Sequence, residues 1–352
     1  METQLSTVQS QSPLALAGQA ANKAAARNVF GRYKELKAAN TIRRQSADLA
    51  LLAEFLRTAG LDPGDLENNP QAWAGLTHGL VEAFVIWQRS QGYTVATVNV
   101  RLSTVKTYAK LALKAGTLDR GEYLEIHVIN GYSQNDARRI DEQRTAEGIP
   151  TRKGAKKARA VSITPDQAEA MTRQPNTPQG RRDALMMCLM LDHGLRVGEV
   201  VILTVTDFDL KAGKLKFHRP KVNKTQTHRL TERTAAAARD YLATDAPALG
   251  VIWRGSANKS HGKAAFSAGD LTSPGMSTRA MTNRVKVLGE AVGLAGLSAH
   301  DCRHFWATQA ARNRTPIDRL QDAGGWSSPA MPLRYIEAQK VANDGVILSG
   351  ND

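Results

Sequence analysis

"SAHDCRHFWATQ", residues 298–309, decides how this chain is read. As a helix it sets His300, Arg303 and His304 at i, i+3 and i+4, so all three share one face near the first turn. Asp301 points elsewhere. Three nitrogen donors at the positive end of a helix repel one another and the helix dipole unless an anion sits among them. The rest of the sequence is best read by asking which anion that is.

Composition narrows the choice. The 352 residues carry 47 Lys and Arg against 33 Asp and Glu, a formal net charge of +14, which points to nucleic acid or an acidic membrane surface. The longest apolar run, "ALMMCLML" at 184–191, is far short of the roughly 20 residues a spanning helix needs, and no signal peptide opens the chain. Two cysteines, Cys188 and Cys302, make neither a disulfide framework nor a cysteine zinc site. The expectation is a reduced, cytoplasmic protein of about two domains.

The pattern divides the chain. Residues 1–28 are small and polar and read as a tail that turns helical toward its end. From 29 to 120 the apolar spacing is helical: "TIRRQSADLALLAEFLRTAG" (41–60), "GLVEAFVIWQRSQG" (79–92) and "TVATVNVRLSTVKTYAKLALKAG" (94–116) each end at a Gly stop, which predicts a domain of about four helices. Arg43, Arg44, Arg101, Lys106 and Lys110 lie off its apolar faces as candidate phosphate contacts. Residues 121–160 carry both charges densely and close on the basic run Arg152, Lys153, Lys156, Lys157, so they read as a linker able to track a DNA backbone. A second domain, 161–352, opens at "SITPDQAEAM", with Thr164 as N-cap and Pro165 at the first helical position. A buried helix through "RRDALMMCLMLDHG", a short helix after it and three short antiparallel strands in "DFDLKAGKLKFHRPKVNKTQTHRLT" (207–231) follow, then helices to the end. The fold class is mainly α with one small antiparallel sheet.

Four pieces of the second domain carry candidate chemistry. "HGLRVGEVVILTVTDFDL" (193–210) holds Arg196 with Glu199 one turn on, a spacing that most often means a surface ion pair. "RPKVNKTQ" (219–226) holds Lys221 in a hairpin turn, where a lysine is usually solvated. The His300, Arg303, His304 cluster is the third, and "GGWSSPAMPLRYIE" (324–337), with Trp326 and Tyr335, is the fourth.

Together these pieces resemble the tyrosine recombinases, the phage integrases and their relatives. That family has an Arg in a Gly-Leu-Arg-x-x-Glu context, a hairpin Lys, a His-x-x-Arg-His box, a His or Trp in a Gly-[His/Trp]-Ser context and a Tyr shortly after it. Arg196, Lys221, His300 with Arg303 and His304, Trp326 and Tyr335 fill those positions in order. The resemblance is specific over 161–340 and generic over 29–120. It implies a helical core-binding domain and an integrase-like catalytic domain forming a C-shaped clamp around DNA.

It also implies a reaction that the residues suit. A tyrosine oxygen attacks a DNA phosphodiester, leaving a 3′-phosphotyrosine and a free 5′-hydroxyl. The phosphodiester repels nucleophiles, so the charge building on its non-bridging oxygens must be neutralised, and the planar forks of Arg196 and Arg303 do this. Glu199 would fix Arg196. Tyr335 has a reference pKa near 10, so His300 is the candidate to accept its proton or align the phosphate. Lys221 is the expected general acid for the departing 5′-oxygen. The hairpin lacks the family's usual glycines, which leaves Lys224 as an alternative acid. Trp326 can donate its indole N–H but cannot carry a proton, so its expected role is positioning. His304 supports the box, and Cys302 packs inward as a small hydrophobe.

The bond energy is kept in the phosphotyrosine, so neither metal nor other cofactor is expected, in keeping with the lack of a P-loop pattern or a set of ligands at metal spacing. The expected partners are a double-stranded recombination site and three further copies of the chain, a homotetramer on two duplexes. Val341, Val346, Ile347 and Leu348 in the tail are candidate docking residues between copies. Participation of a directionality factor stays open. Two rivals remain: a type IB topoisomerase-like nicking-closing enzyme, and a non-catalytic DNA binder descended from recombinases. The second should have lost some catalytic positions, and none is missing here.

Overall fold

The computed structural model describes residues 12–150, 160–256 and 271–337. The chain divides into two compact units, 1–156 and 157–352. No described helix is long and apolar enough to cross a membrane.

The first unit is helical. Its helices are α1 (Pro13–Ala26), α2 (Val29–Glu35), α3 (Ala39–Thr58), α4 (His78–Ser90), α5 (Val95–Ala115), α6 (Arg120–Val128) and α7 (Gln134–Ala146). Local signals set the ends. The Thr94 side chain accepts from the Thr97 backbone to start α5, and Gly116, at φ 76°, ends it in the left-handed conformation glycine permits. The core gathers around Tyr108, with Phe30 edge-on at 5.4 Å and Trp73 stacked at 6.0 Å. The Trp73 indole donates to the Leu66 carbonyl at 2.9 Å, so its polar end is satisfied inside. α1 buries no side chain, which fits its small-residue composition.

The linker expected over 121–160 is corrected by its described part. α6 and α7 lie there, and Ile126, Ile140 and Arg144 are buried. Polarity suggested a linker, but α7 docks through a guanidinium: Arg144 donates to the carbonyls of Arg89 at 2.7 Å and Tyr93 at 2.9 Å. α2 to α5 are the four helices expected over 29–120; α6 and α7 escaped the reading because short polar helices with Asp119 and Ser133 caps leave little apolar periodicity to detect.

The second unit has the expected mixed architecture. In order come α8 (Pro165–Thr172), α9 (Pro178–Leu191), α10 (Val197–Val200), β1 (Phe208–Asp209), β2 (Lys214–Arg219) and β3 (Lys224–Arg229). Then follow α11 (Glu232–Thr244), β4 (Arg254–Ser256), β5 (Leu271–Pro274), α12 (Thr278–Ala291), α13 (Ala299–Arg312), α14 (Ile317–Gly324) and α15 (Ala330–Glu337). The sheet runs β1-β2-β3, antiparallel, with Arg219 opposite Lys224 across the hairpin. Its alternation turns Leu215, Phe217 and Arg219 inward. α9 is the spine of the core, buried from Leu185 to Leu191 and packed with Leu215, Phe217, Tyr241 and Trp253. Tyr241 and Trp253 send their polar ends to the carbonyls of Ile252 and Val200 at 2.7 and 2.6 Å. A separate small cluster of Ala307, Ala311, Leu320 and Tyr335 joins α13, α14 and α15.

Candidate active site

The site begins where α13 begins. Asp301, buried, accepts from the Ser298 backbone at 2.7 Å and hydroxyl at 2.8 Å, a reciprocal cap that fixes the first turn. His300, Arg303 and His304 then meet on one face, and the two imidazoles stand edge to face at 4.6 Å. Cys302 is buried, as expected.

Arg303 is only 2% exposed. It donates to the carbonyls of Gly194 at 2.6 Å and Gly324 at 2.5 Å, and its guanidinium lies 4.6 Å from the centre of the Trp326 ring. Both carbonyls belong to glycines for a steric reason. A Cβ on Gly194 would meet Trp306 at 2.3 Å, and one on Gly324 would meet Trp326 at 2.1 Å. The aromatic walls around Arg303 can close only because those side chains are absent.

Arg196 caps α10. Its backbone N–H donates to Glu199 at 2.9 Å and its guanidinium to the other carboxylate oxygen at 2.7 Å, while the side chain stays 25% exposed. The ion pair expected between them is therefore present. Glu199 has a second cation that the sequence reading did not single out: Arg219, 0% exposed, donates to it at 2.6 Å. Two arginines thus share one carboxylate, and Arg303 beside them is held by carbonyls alone. Burial, then the charges of Arg196 and Arg219, push the Arg303 guanidinium down to about 10, still charged at neutral pH. An anion placed among these groups would relieve that repulsion.

Tyr335, on α15 and 7% exposed, completes the arrangement. Its ring lies 5.4 Å from His304 and 5.9 Å from Trp326. Burial raises its phenol, while Arg303, Arg334 and Arg196 pull it back. His300 is shifted down by burial, then by His304 and Arg303, which favours the neutral imidazole able to accept a proton.

The hairpin lysines are placed differently. Lys221 lies exposed in the β2–β3 turn, whereas Lys224 pairs with Asp322 at 2.7 Å. Of the basic residues in the first unit, Arg101 is turned toward Gln88, Asp48 and the Tyr93 ring, and Lys106 donates to the carbonyls of His127 and Ile129. Both hold the unit together. Arg43 reaches Asn40, and Arg44 pairs with Asp48 while staying partly exposed. Arg152, Lys153, Lys156 and Lys157, like Val341, Val346, Ile347 and Leu348, lie outside the described residues. Among the described residues no group of three or more His, Cys, Asp or Glu could hold a metal.

The model of the phage integrase family matches residues 162–341, the span that carries Arg196, Glu199, Lys221, His300, Arg303, His304, Trp326 and Tyr335. The chain belongs to the phage integrase family. Among integrase relatives, tyrosine recombinase XerC of Herpetosiphon aurantiacus is 22% identical over 311 residues, covering 88% of this chain and 87% of that protein. XerC of Roseiflexus castenholzii is 25% identical over 293 residues, covering 82% and 80%. The Tn1549 transposon integrase in complex with transposon right end DNA superposes with a TM-score of 0.58 at 14% identity, over 87% of this chain and 93% of that one. A lambda integrase dimer bound to a COC′ core site gives 0.57 at 14%, over 92% and 98%. The structural likenesses establish an integrase fold, and the family match makes the chain an enzyme of the tyrosine recombinase type, acting in site-specific recombination.

Sequence reasoning missed Arg219 and its contact Gln226. One signal could have found them: strict alternation from Leu215 through Phe217 puts Arg219 on the buried face, where an arginine must have partners.

Proposed function

We propose that this protein cuts and rejoins double-stranded DNA at a specific site through a covalent 3′-phosphotyrosine at Tyr335. The phenol oxygen attacks the scissile phosphorus, its proton passing to His300 or to solvent. The bond to the 5′-oxygen breaks, and that oxygen takes a proton from Lys221, with Lys224 as the alternative donor. Arg196 and Arg303 neutralise the non-bridging oxygens, Glu199 holds Arg196, and Trp326 and His304 position the phosphate and the tyrosine. A 5′-hydroxyl from a partner duplex then attacks the phosphotyrosine and releases Tyr335, so the reaction conserves its bond energy without metal or nucleotide. Four protomers on two duplexes carry out the exchange, and Arg43, Arg44 and Lys224 contact DNA phosphates.

One observation carries this reading: buried Arg303, held by carbonyls alone, and Arg196 and Arg219, which share the single carboxylate Glu199, gather beside Trp326, whose ring lies against that of Tyr335. Such a cluster is stabilised by a phosphate and has no evident purpose without one. The test is to incubate wild type and Tyr335→Phe, without metal or nucleotide, with labelled DNA carrying the ends of its own element, and to run denaturing protein gels. A covalent band in wild type that disappears in Tyr335→Phe, while both still bind DNA, is the expected outcome. Products joining two duplexes separate a recombinase from a nicking-closing topoisomerase. No band on any such DNA, even on a nicked substrate that traps the 5′-end, would leave a DNA-binding protein.

A further inference from the structure

Arg219 is the buried arginine beside the site that the proposed chemistry does not use. It sits at the inner end of β2, two residues before Lys221, and none of its side chain reaches solvent. Its fork is divided among three separate elements. One nitrogen donates to Glu199 at 2.6 Å, the carboxylate that also holds Arg196. Another donates to the Ala323 carbonyl at 2.7 Å, next to the Gly324 carbonyl that receives Arg303 and three residues before Trp326. The Nε donates to Gln226 on β3, and the Gln226 amide in turn donates to the Asp322 carbonyl at 2.6 Å. The packing is tight on the remaining side: a Cβ on Gly325 would meet the Arg219 side chain at 2.5 Å, and Gly325 has the positive φ of 58° that glycine adopts freely.

We propose that Arg219 is a positioning residue that locks the Arg196 fork, the lysine-bearing hairpin and the Trp326 loop into one rigid phosphate cradle. The inference rests on the proposed reaction. The argument is geometric. Glu199 alone could bind Arg196 in several ways, because each carboxylate oxygen offers more than one acceptor direction. The Arg196 backbone N–H and Arg219 together occupy one oxygen, so the other is left to the Arg196 guanidinium in a single orientation. A lysine could not do this, since an ammonium has no planar fork with which to reach a carboxylate, an amide and a carbonyl at fixed angles. Arg219 touches no reacting atom; it acts through Arg196 and through the loop that supplies the carbonyl to Arg303.

The experiment compares two cleavable substrates. One has the ordinary phosphodiester at the scissile position, and the other has a methylphosphonate, in which a methyl group replaces one charged oxygen and the phosphorus centre is neutral. Wild type, Arg219→Met, Arg219→Lys and Arg196→Ala are assayed for the rate of covalent complex formation, with DNA affinity and thermal melting recorded for each. If Arg219 acts by aiming Arg196 at phosphate charge, Arg219→Met forms the complex about 100-fold more slowly than wild type on the phosphodiester. That deficit shrinks to a few-fold on the methylphosphonate, in parallel with Arg196→Ala. Arg219→Lys keeps the buried cation, and with it the fold, but shows the same dependence on substrate charge. A deficit of equal size on both substrates, or none at all, would overturn the proposal. Failure of the proposed reaction looks different: wild type itself then yields no Tyr335-dependent complex on the phosphodiester.

Discussion

The second unit contains two buried arginine–carboxylate clusters, and they are built on opposite principles. In one, Asp183 receives Arg182 through two bonds at 3.1 and 2.7 Å and Arg284 through one at 2.6 Å. The remaining Arg182 nitrogen donates to the Arg254 carbonyl at 2.9 Å and the Ser256 hydroxyl at 3.1 Å, so the whole guanidinium is engaged and ties α9 to β4. In the other, Glu199 serves Arg196 and Arg219, and Arg303 beside them has carbonyls but no carboxylate of its own. The first cluster is closed and holds the fold. The second keeps an excess of positive charge against an aromatic wall, an arrangement that costs stability unless an anion arrives. Both clusters hold more arginines than carboxylates, two to one and three to one, and the added Arg303, held by carbonyls alone, separates the proposed functional cluster from the structural one.

The contrast can be broken by substitution. Arg182→Met removes the main partner of a fully buried carboxylate and should lower unfolding free energy by about 3 kcal/mol in urea titrations. Arg303→Met should reverse the emphasis. Covalent complex formation falls by about 10²–10³-fold for loss of a charged transition-state donor, while stability drops by less than half as much as in Arg182→Met, because relieved repulsion offsets two lost carbonyl bonds. Equal destabilisation by the two variants would mean that the Glu199 cluster is as closed as the other.

A smaller effect reports the same positive field. His193 and His228 are both pushed down to about 4, mainly by burial, with Arg219 adding to the effect on His228. Their folded-state values lie below the ordinary 6.5, so as pH falls the unfolded chain takes up protons first. The stability these neutral rings permit is complete above pH 6.5 and is lost progressively toward pH 4. Urea midpoints measured from pH 7 to 5 should therefore decline, and His228→Gln should flatten the slope. An unchanged slope would remove His228 from the account.

The smallest effect concerns Lys224. Its pair with Asp322 is 54% and 70% exposed, and such pairs are worth about 0–1 kcal/mol. Lys224→Ala should leave stability nearly unchanged and reduce the slope of log affinity for DNA against log salt by about one. Loss of covalent complex formation as severe as in Lys221→Ala would instead make Lys224 the proton donor.

Much of this was legible in the sequence, for local reasons. The Thr164 cap, the spine at 184–191, the alternation of the hairpin and the i, i+3, i+4 set on α13 depend on neighbours a few residues apart, and the structure shows each of them. The helices at 120–128 and 134–146 were not legible, since the first docks through a single buried Ile126 and the second largely through one buried guanidinium and two distant carbonyls, and neither shows an apolar stripe. The internal partners of Arg101 and Lys106 were not legible for a related reason: the same basic side chain serves a phosphate or an internal oxygen equally well, and spacing does not say which is near.

By itself, then, the sequence determined which side chains share a face and which chemistry those side chains can perform, because helical and strand periods are fixed by the backbone. Only the tertiary structure decided what each arginine faces. Arg303 finds the Gly194 carbonyl 109 residues away, Arg219 finds that of Ala323 104 residues away, and Tyr335 comes to rest against His304 on another helix. Those meetings follow from how α10, β2, α13 and α15 pack together, and no local pattern encodes the packing of elements so far apart in the chain.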